Sequence, residues 1–346
     1  MNLSENIQTL SNWINSAERI CTVCHTNPDG DALGSTAAMF FYLTETLGKS
    51  VTALLPDAPP QSLGFLLEGV NYLTGGPSAQ EAISRCDLLI CLDFNVLSRT
   101  ESLCDACTSY PGRKVLIDHH VGPQEDAFGL CFSDTGVSSA CELLYEILMR
   151  MPGFDGHAGR LPARTAYALM TGMTTDTNNF ANSVFPGTLR MASALLEAGV
   201  DRENILDHLY RSGREQRLRA QGDILRDRLV ITPEGAAVTV LTADVLQSYA
   251  LLDGETEGFV NIPLEIKEVR LSIFAREENG RFRVSLRSKK GTSARELAMQ
   301  AFHGGGHEQA AGGRILIPED IPSPEAAAEY VTCAAARFLQ QNSHRS

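Results

Sequence analysis

The segment His25-Thr26-Asn27-Pro28-Asp29-Gly30-Asp31-Ala32-Leu33-Gly34-Ser35 decides how the rest of the chain is read. It packs one histidine and two aspartates into a turn between ICTVCH, an apolar run with the look of a strand, and STAAMFFYLTETL, a run with helical periodicity. Pro28 and Gly30 shape such a turn, letting His25, Asp29 and Asp31 converge. Gly34 and Ser35 are then expected to open the helix and offer backbone N–H groups suited to phosphate. Taken alone, the segment also fits a polar turn with an aspartate capping a helix, so the decision falls to its neighbours.

Outward from this turn, strands and helices alternate. SVTALL, DLLICLD and KVLID follow as strand candidates, and SSACELLYEILMR and LPARTAYALMTGM as amphipathic helices. Near-continuous apolar strands separated by helices imply a parallel sheet covered on both faces, and in such sheets ligands collect beyond the carboxyl ends of the strands. Asp93 ends DLLICLD, the triplet Asp118-His119-His120 ends KVLID, and Asp176 lies in MTTDTNNF, expected just after a helix. A single acid at a strand end can be no more than a solvated terminus; four such groups at one sheet edge point to a metal centre. Hard carboxylates mixed with imidazole suit Mn²⁺ or Mg²⁺ rather than a thiolate-held zinc, and manganese is the expected ion. Two such ions about 3.5 to 4 Å apart would share a carboxylate and a hydroxide and stabilise both the attacking and the leaving oxygen at phosphorus.

At 346 residues the chain suits two domains. The expected division is an N-terminal catalytic domain over residues 1–190, a charged helical connector over 191–222, and a smaller domain over 223–346. The last contains strands in AAVTVLT, VRLSIFARE and RFRVSLRSK, an Asn279-Gly280 hairpin tip, and helices at SARELAMQAF and SPEAAAEYVTCAAARFLQQ. A net charge of −13 argues against coating long nucleic acid and leaves a short anionic substrate compatible with bound cations. No signal-like or membrane-length apolar run is visible, so the expected setting is cytoplasmic, with no membrane partner. The two CxxC pairs, Cys21/Cys24 and Cys104/Cys107, are expected to pack as thiols rather than hold zinc.

The four acidic segments, in order and spacing, resemble the motifs of the DHH phosphoesterase superfamily, and AFHGGGHEQAAGG together with VSLRSKKGTSARELA resembles its DHHA1 domain. The similarity spans nearly the whole chain and is nearest to the compact two-domain oligoribonuclease (nanoRNase) group, whose members also dephosphorylate adenosine 3′,5′-bisphosphate. It implies an α/β fold, a parallel-sheet DHH domain joined by the connector to a smaller mixed-sheet DHHA1 domain. It further implies one divalent ion held by His25 and Asp29 and a second held by Asp31, His119 and Asp176, with Asp93 bridging. Catalytic work would fall to Asp31, Asp93, His119 and His120. His120 would face substrate, and Asp118 would orient the neighbouring histidine rather than bind metal. A nucleotide clamp would comprise Arg287, Ser288, Gly304, Gly305, Gly306 and His307, and some relatives of this kind are homodimers.

The expected reaction is hydrolysis of short oligonucleotides, entering between the domains, to mononucleotides, and of adenosine 3′,5′-bisphosphate to AMP. Alternatives within the same chemistry are a linear or cyclic dinucleotide phosphodiesterase and an exopolyphosphatase or pyrophosphatase-like hydrolase. Outside it stands a non-catalytic nucleotide or metal sensor. Action on long strands is not expected, because the chain lacks room for additional nucleic-acid-binding domains.

Overall fold

In the computed structural model, which describes residues 3–252 and 254–342, the chain divides into two units, 1–212 and 213–346. The first is built on six parallel strands: β1 Arg19–Val23, β2 Ser50–Leu55, β3 Tyr72–Thr74, β4 Leu88–Leu92, β5 Arg113–Asp118 and β6 Leu130–Ser133, in the order β3-β2-β1-β4-β5-β6. The four strands expected from the sequence are the central ones. The edge strands β3 and β6 were not anticipated, being short and carrying little of the apolar pattern that marks a buried strand.

Strand β4 is buried throughout, with Leu88, Ile90 and Leu92 turned into one apolar cluster and Leu89 and Cys91 into the cluster on the other face. This double burial explains its unbroken apolar sequence. Among the described residues eight α-helices accompany the sheet: α1 Leu3–Ser16, α2 Gly30–Phe41, α3 Gly76–Arg85, α4 Cys104–Ser109, α5 Ala140–Arg150, α6 Ala163–Asp176, α7 Pro186–Glu197 and α8 Arg202–Tyr210. Residues of α1, α2, α5, α6 and α7 fill one cluster, whereas α3 and α4 contribute to the other. Of the two CxxC pairs, Cys21 and Cys107 lie in the second cluster and Cys24 in the first, whereas Cys104 is half-buried and in neither; all nine cysteines are free of disulfides.

Two expectations about helix ends are corrected. Helix α2 starts at Gly30 rather than near Ser35, because Asp29 caps it and accepts from the N–H groups of Asp31 and Ala32. Gly34 and Ser35 are therefore buried within the helix and do not present an open N-terminus. Asp176 is the last residue of α6 rather than part of the loop that follows.

Every residue of α2 is buried, and the helix crosses α6 at close range. A side chain at Gly34 would come within 2.9 Å of the Ala168 carbonyl and 3.0 Å of Gly172, and one at Gly172 within 2.3 Å of Cys141 Sγ. Missing side chains thus set the separation of the two helices that carry Asp31 and Asp176.

In the second unit, helix α9 Glu215–Asp227 precedes a six-stranded sheet of β7 Leu229–Ile231, β8 Ala236–Leu241, β9 Leu271–Glu278, β10 Arg281–Ser288, β11 Gly305–Gly306 and β12 Ala310–Leu316. Its order is β11-β12-β10-β9-β8-β7, antiparallel except for β8 beside β9. Asn279 and Gly280 turn the β9–β10 hairpin with φ of 52° and 74°, the positive pair that a two-residue turn of this twist requires. Helices α10 Ala243–Ser248, α11 Ala294–Ala301 and α12 Ala327–Gln341 complete the unit, and α11 and α12 supply much of the cluster on one sheet face. Among the described residues no helix is long and apolar enough to cross a membrane.

Replacing Gly172 by Ala forces a new methyl against Cys141 Sγ and to within 3.0 Å of Asp31 Oδ1. Denaturant unfolding is expected to show a loss of about 1–3 kcal/mol. Gly222→Ala, in α9 with nothing within 4 Å, should be neutral or stabilising by up to about 1 kcal/mol; the same loss at both sites would contradict the close-packing account.

Candidate metal centre

The strand order places β1 and β4 side by side while their connections leave in opposite directions, and a crevice opens at the carboxyl ends of such a pair. His25 follows β1 by two residues, Asp93 follows β4 directly, and His119 follows β5 directly. The crossing of α2 and α6 delivers Asp31 and Asp176 to the same place.

Asp93 lies between His25 and His119, and Asp29, Asp31 and Asp176 surround those two histidines. Asp93 Oδ2 lies 3.5 Å from His25 Nε2 and its Oδ1 3.5 Å from His119 Nε2. His25 Nε2 is also 3.9 Å from Asp29 Oδ1, and His119 Nε2 is 3.9 Å from Asp31 Oδ2 and 3.6 Å from Asp176 Oδ2. These gaps are long for hydrogen bonds. They approach the ligand-to-ligand spacing around one ion, since two donors each about 2.1 Å from it and roughly at right angles or wider are about 3.0–3.4 Å apart.

Among the described residues three groups of donor atoms share Asp93: His25, Asp29 and Asp93; Asp31, Asp93 and His119; and Asp93, Asp118 and His120. Asp93 is 2% exposed, yet its Oδ1 is a buried atom with no hydrogen-bond partner. A buried carboxylate oxygen left this way is costly unless a cation meets it. The residues present therefore fit divalent ions, and the oxygen–imidazole donor set suits Mn²⁺ or Mg²⁺.

Local structure aims each donor. His25 Nδ1 donates to the Thr26 carbonyl at 2.8 Å, which turns Nε2 toward the carboxylates. Asp29 both caps α2 and lies in a donor group with His25 and Asp93. Both oxygens of Asp31 accept backbone N–H groups from the start of α5, Ala140 N at 2.6 Å and Cys141 N at 3.0 Å. Asp93 adopts a left-handed backbone, φ 63°, and its N–H donates to the Ile117 carbonyl of β5. A non-glycine residue there carries strain of order 1 kcal/mol or more, and it occurs at the centre of the cluster.

Asp118 is fully buried and accepts from His120 through both the ring Nδ1, at 2.7 Å, and the backbone N, at 3.1 Å. The histidine it orients is thus His120, whereas His119 faces the carboxylates. A second buried acid, Glu142, accepts from the N–H and hydroxyl of Ser138 and from the Thr188 hydroxyl, tying the starts of α5 and α7 together. Neither Glu142 nor the Ala140 and Cys141 amides were anticipated. Ser139-Ala-Cys-Glu142 does have the spacing of a helix cap, and Ser139 Oγ accepts from Glu142 N, but nothing local in it points to Asp31.

Electrostatics record the crowding. Burial raises Asp31, and repulsion from Asp93 adds to it, leaving the carboxyl at about 7. Burial and Asp31 raise Asp176 well above its ordinary range. Burial alone would lower the histidines, but Asp93, aided by Asp29, lifts His25 to about 9, and Asp93 with Asp176 and Asp31 lifts His119 to about 10. Burial opposes ionisation of Asp93, yet the two histidines hold it far below the usual range.

In the second unit Arg287 pairs with Ala310 across β10 and β12, and Ser288 N donates to the Gln309 carbonyl. The turn that begins at His307 is thereby brought beside Arg287 and Ser288. The Ser288 hydroxyl donates to the Thr292 carbonyl, and the Gly304 N–H donates to the Ala298 carbonyl. Gly304 and Gly306 are required sterically, since a side chain on either would strike Gly312, Gly313 or Ala310–Ala311 backbone, while Gly305 faces open space.

A parallel sheet with an aspartate–histidine cluster at its switch point, followed by a separate mixed-sheet unit, marks a hydrolase of the phosphoesterase class when taken with the family matches. Residues 19–173 match the DHH family N-terminal domain and residues 238–331 the DHHA1 domain, and the chain belongs to the DHH family. It is 29% identical to the bifunctional oligoribonuclease and PAP phosphatase NrnA of Bacillus subtilis (strain 168), over 84% of this chain and 87% of that protein. With the protein of the same name from Thermus thermophilus it shares 29% identity over 84% and 82%. An exopolyphosphatase-related protein from Bacteroides fragilis has the same fold with a TM-score of 0.89 and 32% identity, covering 98% of each chain. RecJ in complex with Mn²⁺ from Thermus thermophilus shares the fold at a TM-score of 0.57 and 18% identity, over 99% of this chain and 54% of that one.

The raised groups dictate a pH response for chelator-treated protein. Asp31 keeps its proton in the native state from its ordinary 3.8 up to about 7, and His25 and His119 keep theirs from 6.5 to about 9 and 10, so the native state binds more protons than the unfolded one and stability falls as pH rises through these windows. Asp93 is ionised throughout and adds no slope above about pH 5. Thermal unfolding followed from about pH 5 to pH 9 should show a falling midpoint, less steep below pH 7 in Asp31→Asn; a midpoint rising over this range would contradict the proton-loaded cluster.

Proposed function

We propose that the chain hydrolyses short oligonucleotides to mononucleotides and adenosine 3′,5′-bisphosphate to AMP, using two divalent cations held on the Asp93 cluster. The observation that carries this reading is the buried Asp93 carboxylate between His25 and His119, with its Oδ1 lacking a hydrogen bond. The similarity to two proteins named as bifunctional oligoribonucleases and PAP phosphatases supports the substrate class.

In this reading His25 and Asp29 would hold one ion and Asp31, His119 and Asp176 the other, with Asp93 serving both. Manganese is the ion we expect, with magnesium as the alternative. Bound there, the cations would neutralise the reacting phosphate and acidify the attacking water. The chain's own contribution is placement. The α5 amides fix Asp31, Thr26 fixes the tautomer of His25, and Asp118 fixes the ring of His120 so that it can meet a phosphate oxygen. Arg287, Ser288, Gly304, Gly305, Gly306 and His307 form the nucleotide clamp, with Arg287 supplying a planar guanidinium for phosphate.

Polyphosphate or pyrophosphate hydrolysis is a second reading, favoured by the close structural likeness to an exopolyphosphatase-related protein. Product analysis with Mn²⁺ on labelled RNAs of two to ten nucleotides, adenosine 3′,5′-bisphosphate and polyphosphate separates the two. We expect mononucleotides and AMP, with rates declining on longer strands; release of phosphate from polyphosphate alone would reject the nucleotide reading.

Asp93→Ala should reduce turnover by about 10³-fold or more while nucleotide binding, followed by equilibrium titration, stays within a few-fold of wild type. Turnover unaffected by this change would remove Asp93 from the reaction. Asp118→Asn should lower turnover by about 10- to 100-fold through the orientation of His120. Wild-type kinetics in that variant would show that His120 needs no such support.

A further inference from the structure

Arginines from three strands stand side by side on the face of the second sheet opposite the α11–α12 cluster. The register sets Arg283 of β10 against Arg276 of β9 on one side and Arg314 of β12 on the other, and residues directly opposite in antiparallel neighbours share a face. Along β10 the same face carries Arg281, Arg283, Ser285 and Arg287, because Phe282, Val284 and Leu286 turn into the cluster on the other side. The three strands contribute one carboxylate to this face, Glu278, which is 3.4 Å from Arg276 and opposite Arg281.

Five arginines against one glutamate is a strong local excess in a chain whose net charge is −13. Like charges placed directly opposite one another destabilise a sheet, so folding alone does not favour the row. Part of the face is closed, with Phe274 buried in a cluster with Phe259 and Val260. On β10 and β12, however, Arg281, Arg283 and Arg314 are exposed. Between Arg283 and Arg287, Ser285 lies opposite Gly312, so no large side chain stands between the two arginines at that register position.

We propose that this face is a phosphate track for the part of a single-stranded oligonucleotide extending beyond the nucleotide held at Arg287 and His307. Arg283 and Arg314 bind its backbone phosphates. Planar guanidinium forks match phosphate oxygens, and contacts to the backbone carry no base preference. The four residues from Arg287 to Arg283 span roughly 13 Å, which suits a few nucleotides and not a long strand. The proposal rests on the nucleotide reading above and adds to it the origin of length preference.

The test compares the full-length wild type with the Arg283→Gln, Arg314→Gln double variant. Binding of fluorescein-labelled di- and pentaribonucleotides is measured by anisotropy in EDTA at several salt concentrations, and hydrolysis of both is measured with Mn²⁺. The ratio of pentanucleotide to dinucleotide affinity should fall about tenfold, and the slope of log affinity against log salt should shrink by about one to two units. The ligand-free melting temperature should hold or rise as the repulsion is relieved. Unchanged pentanucleotide affinity and salt slope, or equal losses at both lengths, would overturn the track. So would a shift from dimer to monomer in sedimentation at unchanged affinity, which would assign the row to a second copy of the chain. A length-dependent loss of binding in the variant, beside a wild type that hydrolyses neither RNA, would sustain the track and reject the hydrolytic reading; hydrolysis by the wild type with no length-dependent effect of the substitutions would do the reverse.

Discussion

The buried charge of Asp93 is the constraint around which the first unit is arranged. Its carboxylate sits at the end of a strand that is apolar on both faces, 2% exposed, with one oxygen lacking any hydrogen bond. Such a charge persists in a protein interior only beside positive charge. His25 and His119 approach it from the neighbouring strand ends, and the upward shifts of Asp31 and Asp176 show how poorly further anions are accommodated there without it. The cluster is therefore a site that either holds protons or holds cations, which is the property the proposed chemistry uses.

Its precision comes from backbone placement rather than from long side chains. Asp31 is seated on two amides at the start of α5, and Gly34 and Gly172 let α2 and α6 approach closely enough to bring Asp31 and Asp176 together. Glu142, buried and satisfied by Ser138 and Thr188, joins the starts of α5 and α7 and so steadies the amides under Asp31. Short, rigid supports of this kind hold donors in position before an ion arrives.

The second unit shows a different use of register. Antiparallel pairing collects Arg276, Arg283 and Arg314 into one row, although in the sequence they are separated and interspersed with acidic residues. Charge counted along the chain gives no sign of a basic row; charge counted across the strands does. The same pairing explains the glycines from Gly304 to Gly306, two of which exist to let β11 and β12 backbones pass closely, whatever the third contributes to a ligand.

Much of this was legible in the sequence, because apolar periodicity and turn chemistry act locally. ICTVC, SVTALL, DLLICLD and KVLID are strands, Asn279-Gly280 is a hairpin tip, and the motif residues His25, Asp29, Asp31, Asp93, His119 and Asp176 stand where strand and helix ends are expected or close to them. The short edge strands escape because so few residues carry no reliable period, and the start of α2 lies earlier than expected because the capping power of Asp29 outweighs the turn-forming tendency of its neighbours. What the tertiary structure alone decided was which groups meet: the order β3-β2-β1-β4-β5-β6, the amides beneath Asp31, the choice of His120 as partner of Asp118, and the arginine row. The reason is physical, since local propensity is set by neighbours a few residues away, whereas these meetings depend on strand order, register and helix crossing, which are fixed only when the core packs.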